Sequence, residues 1–282
     1  MKPSVIVLTY NSSGSLPATL QKAREVSDDI FVVDSFSRDG TVKIAEDAGA
    51  TVLQHEFKNY GDQRNWAIDS IKTRYEWQLH LDADELLTAE LVANIRGLPD
   101  CPPESGFFLG RKIRFLGRIL HHGGMSPTWH MRLFRGGAGR CEQRLYDQHF
   151  FLTEGASRQL TGTMIDDIQM SLSEWTLRHN RWSDAEVEEV LINTAAAGRV
   201  RGRAFGNSVE RKRYLRELYD QCPLFLRPFG LFFYRFVIRL GFLDGLPGFV
   251  FWVLQTFWFR FLIDAKLYEA RLLQRNRRGT TM

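Results

Sequence analysis

The chain has 282 residues, 44% hydrophobic and 25% charged, the balance of a folded protein able to bury a full core and not of a disordered one. Its three cysteines, Cys101, Cys141 and Cys222, are odd in number, far apart and without CxxC, which argues against a disulfide framework or a cysteine zinc site and for a reducing compartment. A net charge of +4 hides an asymmetry: residues 199–282 carry 16 Lys and Arg against 6 Asp and Glu, net +10, which leaves −6 for residues 1–198.

From the N-terminus, Met1-Lys2-Pro3 leads into an apolar run at 5–8 that is too short for a signal peptide, so the domain is expected to start at once and to stay in the cytosol. Residues 5–8 read as a strand apolar on both faces, and Leu16, Leu20 and Ala23 follow at helical spacing. A second strand is predicted at 30–33, then a helix through Val42, Ala45 and Ala48 closed by Gly49. A short strand at 51–53, a helix through Ala67, Ile68 and Ile71 and a strand at 77–81 complete the alternation. Such a pattern reads as an α/β domain with a largely parallel sheet and right-handed crossovers.

Polar residues gather where these strands end. Thr9-Tyr10-Asn11 follows the first, Asp34-Ser35 the second, and Asp82-Ala83-Asp84-Glu85 the fourth, all at the carboxyl edge where open α/β sheets bind ligands. The first turn lacks GxGxxG and the chain lacks GxxxxGK[ST], which removes the dinucleotide and P-loop readings. Asp34 can accept hydrogen bonds from a base or ribose, while Asp39, Gly40 and Thr41 read as a turn and helix cap. The carboxylates crowded into HLDADELL repel one another unless something relieves them. Either Asp84 or Thr88 caps a helix through Leu91, Ile95 and Leu98, or hard oxygen ligands hold a divalent cation.

The second half is less regular. Arg132 and Arg135 flank Leu133-Phe134 on a predicted strand and could face phosphate. His121, His122 and His130 suit hydrogen bonds to a ligand better than zinc, and Asp166-Asp167 and residues 174–182 are candidates for an acceptor groove. From 224 to 267, Phe, Leu and Trp runs are interrupted by Arg227, Arg235, Arg239, Asp244 and Arg260. The charge would suit nucleic acid, but the apolar runs do not; both suit an anionic membrane surface, met by an amphipathic hairpin bent at Gly245-Leu246-Pro247-Gly248, with Arg227, Arg235 and Arg239 along one side. The alternative is a buried helical pair sealing a homo-oligomer.

The stretches VIVLTYNSSGSLPATL, DDIFVVDSFSRDGTVKIAEDAGATV, YGDQRNWAI and WQLHLDADELL, continued by GRKIRFLGRILHHGG and HMRLFRGG and weakly by GFLDGLPGFVF, resemble family 2 glycosyltransferases of the GT-A fold. In character they are most similar to lipopolysaccharide core heptose glucosyltransferase-like enzymes. The resemblance implies a Rossmann-like GT-A domain over 1–198, with a nucleotide-sugar half (1–100) and an acceptor half (101–198), and a basic amphipathic membrane-associating region over 199–282. It places Thr9, Tyr10 and Asn11 in the first nucleotide-contacting turn, Asp34 at the base, and Gln63, Arg64 and Asn65 along the nucleotide and its diphosphate. Asp82-Ala83-Asp84 matches the DXD motif, with Asp82 near the ribose and Asp84 coordinating Mg²⁺ or Mn²⁺. Glu85 then caps the next helix or supports the ligand shell. The implied reaction is a single displacement with inversion, which needs one carboxylate base. Many relatives carry a Glu-containing motif where this chain reads CEQRLYDQHF; the departure leaves Asp147, preferred, and Glu142 as candidates, with His149 as a further metal ligand. The implied substrates are a nucleotide-sugar, taken to be a UDP-sugar, and a lipid-linked or lipopolysaccharide glycan, met on the cytoplasmic face of a bacterial inner membrane by a peripheral or monotopic enzyme. The competing readings are a sugar nucleotidyltransferase, weakened by the missing Gly-rich N-terminal loop, and a catalytically inactive membrane-bound scaffold.

Overall fold

The computed structural model describes residues 1–192 and 200–279; the domain boundary expected at residue 198 lies outside them. The predicted alternation is present as β1 (Pro3–Thr9), α1 (Leu16–Arg24), β2 (Ile30–Asp34), α2 (Thr41–Asp47), β3 (Thr51–Gln54), α3 (Tyr60–Ser70) and β4 (Trp77–Asp82). There follow β5 (Glu85–Leu87), α4 (Ala89–Arg96), β6 (Gly106–Phe115), β7 (Arg118–Ile119), β8 (Thr128–Arg135), β9 (Gly139–Cys141), β10 (Phe150–Leu152) and β11 (Ser157–Ile168). The main sheet runs β3-β2-β1-β4-β8-β6-β11-β5. Its first four strands are parallel, β8 is antiparallel to both β4 and β6, and β11 runs parallel to β6. This is the expected α/β, GT-A-like architecture.

The side-chain alternation of β1 divides the core. Val5 and Val7 pack with Leu16, Leu20, Leu79, Leu91 and Ile95 on one face, while Ile6 joins Phe31, Val33, Ala67 and Ile71 on the other. A sheet covered on both sides leaves its strand ends as the place for polar groups. The register sets Thr9 beside Asp34 and Leu8 beside Asp82, so both aspartates stand at one edge, on either side of β1.

Beyond β11 most of the described residues are helical: α5 (Leu172–Ile192), α6 (Ser208–Gln221), α7 (Leu226–Phe233), α8 (Gly245–Trp252) and α9 (Phe259–Gly279), with π-helical turns at Tyr234–Ile238 and Val253–Trp258. Phe251 and Trp252 pack with Phe115, Leu120 and Trp175, which docks the tail onto the sheet. The reversal comes before the expected bend. Leu240 takes a left-handed conformation, a short 3-10 turn spans Gly241–Asp244, and Gly245-Leu246-Pro247-Gly248 forms the first turn of α8, where a proline costs no helical hydrogen bond.

Of the three arginines expected to form an outward stripe, Arg239 is exposed, but Arg227 and Arg235 are engaged internally. Arg227 pairs at 2.5 Å with Asp264, itself 0% exposed, and at 3.1 Å with Asp220. Arg235 donates to the carbonyls of Gly123 and Gly124 at 2.9 and 2.8 Å. Large apolar side chains also face outward: Phe229 at 54%, Phe233 at 56% and Leu246 at 73% exposed.

Candidate active site

At the β1 and β2 ends, Asp34 is fully buried and accepts hydrogen bonds from Thr9 Oγ1 at 2.9 Å and the Ser37 amide at 2.8 Å. Asn11, in a left-handed conformation, ties the two turns together: its amide donates to Ser37 Oγ and its Oδ1 accepts from the Arg38 amide, both at 2.8 Å. Tyr10 and Phe36 are left exposed, at 60% and 53%, two aromatic faces in the adjoining turns that hold Asp34. Phe36 was missed in the sequence, although an aromatic inside a polar turn was the available signal. Gln63 is buried, donating to Ser35 Oγ at 3.1 Å and meeting His55 Nδ1 at 2.7 Å.

At the end of β4, Thr88 caps α4 by accepting from the Leu91 amide. That settles the capping question in favour of Thr88 and leaves three carboxylates to be explained otherwise. Asp82 is bound by Arg64 at 3.0 Å and Arg132 at 2.8 Å, and its amide donates to Glu85 at 3.0 Å. Burial opposes ionisation, but Arg132 and Arg64 prevail and hold Asp82 well below the ordinary carboxylate range. Glu85 is fully buried and pairs with Arg132 at 2.6 Å. It braces Arg132 and the Asp82 amide and does not cap the helix. Ala83 turns its methyl into the core, and its carbonyl accepts from Thr19 at 2.8 Å.

Asp84 differs from its neighbours. Among the described residues its carboxylate has no hydrogen-bond or ion-pair partner. Burial, then Asp166, Asp82 and Glu85, push its pKa up to about 8. Asp166 comes from β11, which pairs Asp166 with Glu85 and donates the Asp167 amide to the Asp84 carbonyl at 2.9 Å. A carboxylate left unpartnered among other carboxylates suits a cation. No three of His, Cys, Asp and Glu gather around one metal position among the described residues. One or two carboxylates with substrate phosphates completing the shell is, however, an ordinary Mg²⁺ arrangement, and Asp84 with Asp166 fits it.

Other candidates stand elsewhere. Asn65 is engaged in both directions with the Cys141 backbone at 2.9 Å, so it ties α3 to β9 and does not face the site. Arg135 lies opposite Trp77, at the far end of β4 from Asp82, and pairs with Glu76. The backbone amides of His121 and His122 donate to Asp244, and His130 stacks on His149.

Glu142, Asp147 and His149 form one network with α6. Glu142 is fully buried and accepts from the His149 and Val200 amides, both at 2.9 Å, and from Arg213 at 2.5 Å. Asp147 pairs with Lys212 at 2.8 Å and Arg213 at 2.9 Å. Against the effect of burial, Lys212 holds its carboxyl well below the usual range. Burial and Lys212 lower His149 to about 4, and both ring nitrogens are engaged, Nδ1 with Arg213 and Nε2 with Lys212. This arrangement offers no free lone pair for a metal at His149. For Asp147 or Glu142 to serve as the base, an acceptor would first have to displace these cations. Asp147→Asn is therefore expected to lower the Tm at pH 7 without changing nucleotide affinity. A group with a depressed pKa stabilises the fold above its unfolded value, and that contribution is lost as pH falls through the folded one. The gap from the parent protein should accordingly close below about pH 4. Lost turnover with an unchanged Tm would return Asp147 to the role of base.

The sequence model described as glycosyl transferase family 2 matches residues 4–152, a span that holds Asp34, Arg64, Asp82, Asp84 and Arg132. An "uncharacterized glycosyltransferase" of Rickettsia felis is 27% identical over 98% of this chain and 92% of its own, and one of Rickettsia bellii is 27% identical over 96% and 87%. Among solved structures, S. aureus TarS 1–349 in complex with UDP-GlcNAc aligns over 96% of this chain and 92% of its own, at 13% identity and a TM-score of 0.47.

Proposed function

This chain belongs to glycosyl transferase family 2, and from that premise we propose that it moves a sugar from a UDP-sugar to a lipid-linked or lipopolysaccharide glycan, with inversion and with a divalent cation, at the cytoplasmic face of a bacterial inner membrane. The observation that carries the reading is the unpartnered Asp84 carboxylate beside Asp82, Arg64 and Arg132 at the carboxyl edge of a parallel sheet. Asp34, already ordered by Thr9 and Ser37, would accept from a nucleobase N–H, with Tyr10 and Phe36 as stacking faces. Asp84 and Asp166 would hold Mg²⁺ or Mn²⁺, which, when bound, neutralises charge developing on the departing diphosphate. Arg64 and Arg132, fixed by Asp82 and Glu85, keep positive charge next to that position without having to reorganise as the bond breaks. The apolar face of the tail favours a membrane-borne acceptor.

A thermal-shift panel of UDP-, GDP- and dTDP-sugars, with and without Mn²⁺, tests the reading. The UDP-sugar is expected to raise the Tm by several degrees only with Mn²⁺, since a ligand at 100 times its Kd stabilises by about 2.7 kcal/mol. No shift with any nucleotide-sugar would end it.

A further inference from the structure

Arg178 lies on α5, one turn after Trp175, which packs with Phe115 and Ile168 at the ends of β6 and β11, the strand that carries Asp166, and it makes none of the ion pairs described above. Its guanidinium stacks 4.7 Å over the Trp182 ring. It has no carboxylate or hydrogen-bond partner among the described residues, and its Nε is buried without an acceptor. Three arginines that meet the site carboxylates are occupied: Arg64 by Asp82, Arg132 by Asp82 and Glu85, Arg111 by Asp166 at 3.3 Å. The helix that carries Arg178 is firmly seated. Trp175 and His179, on either side of it, are buried and stacked with ring centroids 3.4 Å apart, and His179 Nε2 meets Gln255 at 3.0 Å. The positive charge of Arg178 is felt at Asp84 and at the Tyr60 phenol, where it opposes the dominant effect of burial, so it stands within electrostatic reach of the cation position.

A buried N–H without an acceptor is costly to keep, and a planar guanidinium held by an aromatic ring is pre-shaped for bidentate binding of an oxyanion. We propose that Arg178 binds a phosphoryl group at this site, resting on the nucleotide-sugar reading above. The group is either the distal phosphate of the leaving nucleoside diphosphate or a phosphate on the acceptor.

Calorimetric titration of the full chain with UDP, in the presence of Mn²⁺, and with uridine separates the cases. If Arg178 holds the leaving diphosphate, Arg178→Gln weakens UDP about tenfold or more, leaves uridine unchanged, and Arg178→Lys recovers only part of the loss. If it holds an acceptor phosphate, UDP affinity is unchanged, but inorganic phosphate binds the UDP-saturated parent and not Arg178→Gln. Parent and Arg178→Gln binding UDP alike, with inorganic phosphate bound by both or by neither, would overturn the proposal and leave the donor reading standing.

Discussion

Asp84→Asn is expected to make the metal-free protein more stable at pH 7.5 and nearly inactive. The wild-type carboxylate has a folded pKa of about 8 against an ordinary aspartate value of 3.8. Between those values the folded state keeps a proton that the unfolded state releases, so stability falls as pH rises through the window and levels off above it. Asparagine has nearly the same shape and never ionises, so it escapes that cost. Because Asp84 is only half-buried and shares its field with Asp166 and Asp82, the gain should be about 2 kcal/mol, roughly 5 °C in Tm, and should vanish near pH 4. The same substitution removes the ligand that anchors a divalent cation. Several kcal/mol of charge stabilisation on the leaving group would be lost, so turnover should fall by about a thousandfold. In the parent, Mn²⁺ must displace the Asp84 proton, and its affinity should tighten about tenfold per pH unit between roughly pH 6 and 8. Thermal melts across pH, Mn²⁺ titration and donor hydrolysis check these effects together. An unchanged Tm with unchanged turnover would remove Asp84 from the centre of the site.

The difference between the legible and illegible halves of the chain follows from where charges find their partners. Strands β1, β2 and β4 are buried on both faces and read as apolar runs, so their succession along the chain and the polar residues at their ends were visible. Strands β6, β8 and β11 carry GRKIRF, TWHMRLFR and TGTMIDDI. Their charges look like loop residues until the sheet sets Arg132 against Asp82 and Arg111 against Asp166. Asp166 and the segment 174–182 that holds Arg178 were read only as candidates for an acceptor groove, because the roles proposed for them depend on Asp84, more than 80 residues earlier. The tail shows the converse error. Arg227 looked like a headgroup contact, and the residue that claims it, Asp264, is a single acid in an apolar run 37 positions later. Asn65, read from its motif as a substrate contact, is held by the Cys141 backbone, a partner that no local pattern announces.

Those tail contacts change which residues should govern membrane binding. Arg227 is locked to Asp264, so Arg227→Gln should lower the Tm, leaving a buried aspartate unpaired at a cost of about 3–5 kcal/mol. It should not act selectively on lipid partitioning. The outward residues Phe229, Phe233 and Leu246 are the ones a bilayer interface would bury. Full burial of such a side chain contributes about 1.5–3 kcal/mol. Each is already partly covered, so about 1 kcal/mol apiece is reasonable, and replacing all three by Ser should weaken binding to vesicles of anionic lipid about a hundredfold. The basic tail adds attraction that high salt should screen. Donor hydrolysis in solution should survive the triple substitution, because Asp34, Asp82 and Asp84 lie at the sheet edge and not on these helices. Flotation of parent and variant with anionic and neutral vesicles reads the effect directly. A variant that still floats like the parent, yet elutes as a smaller species, would assign the apolar face to a second copy of the chain and not to lipid.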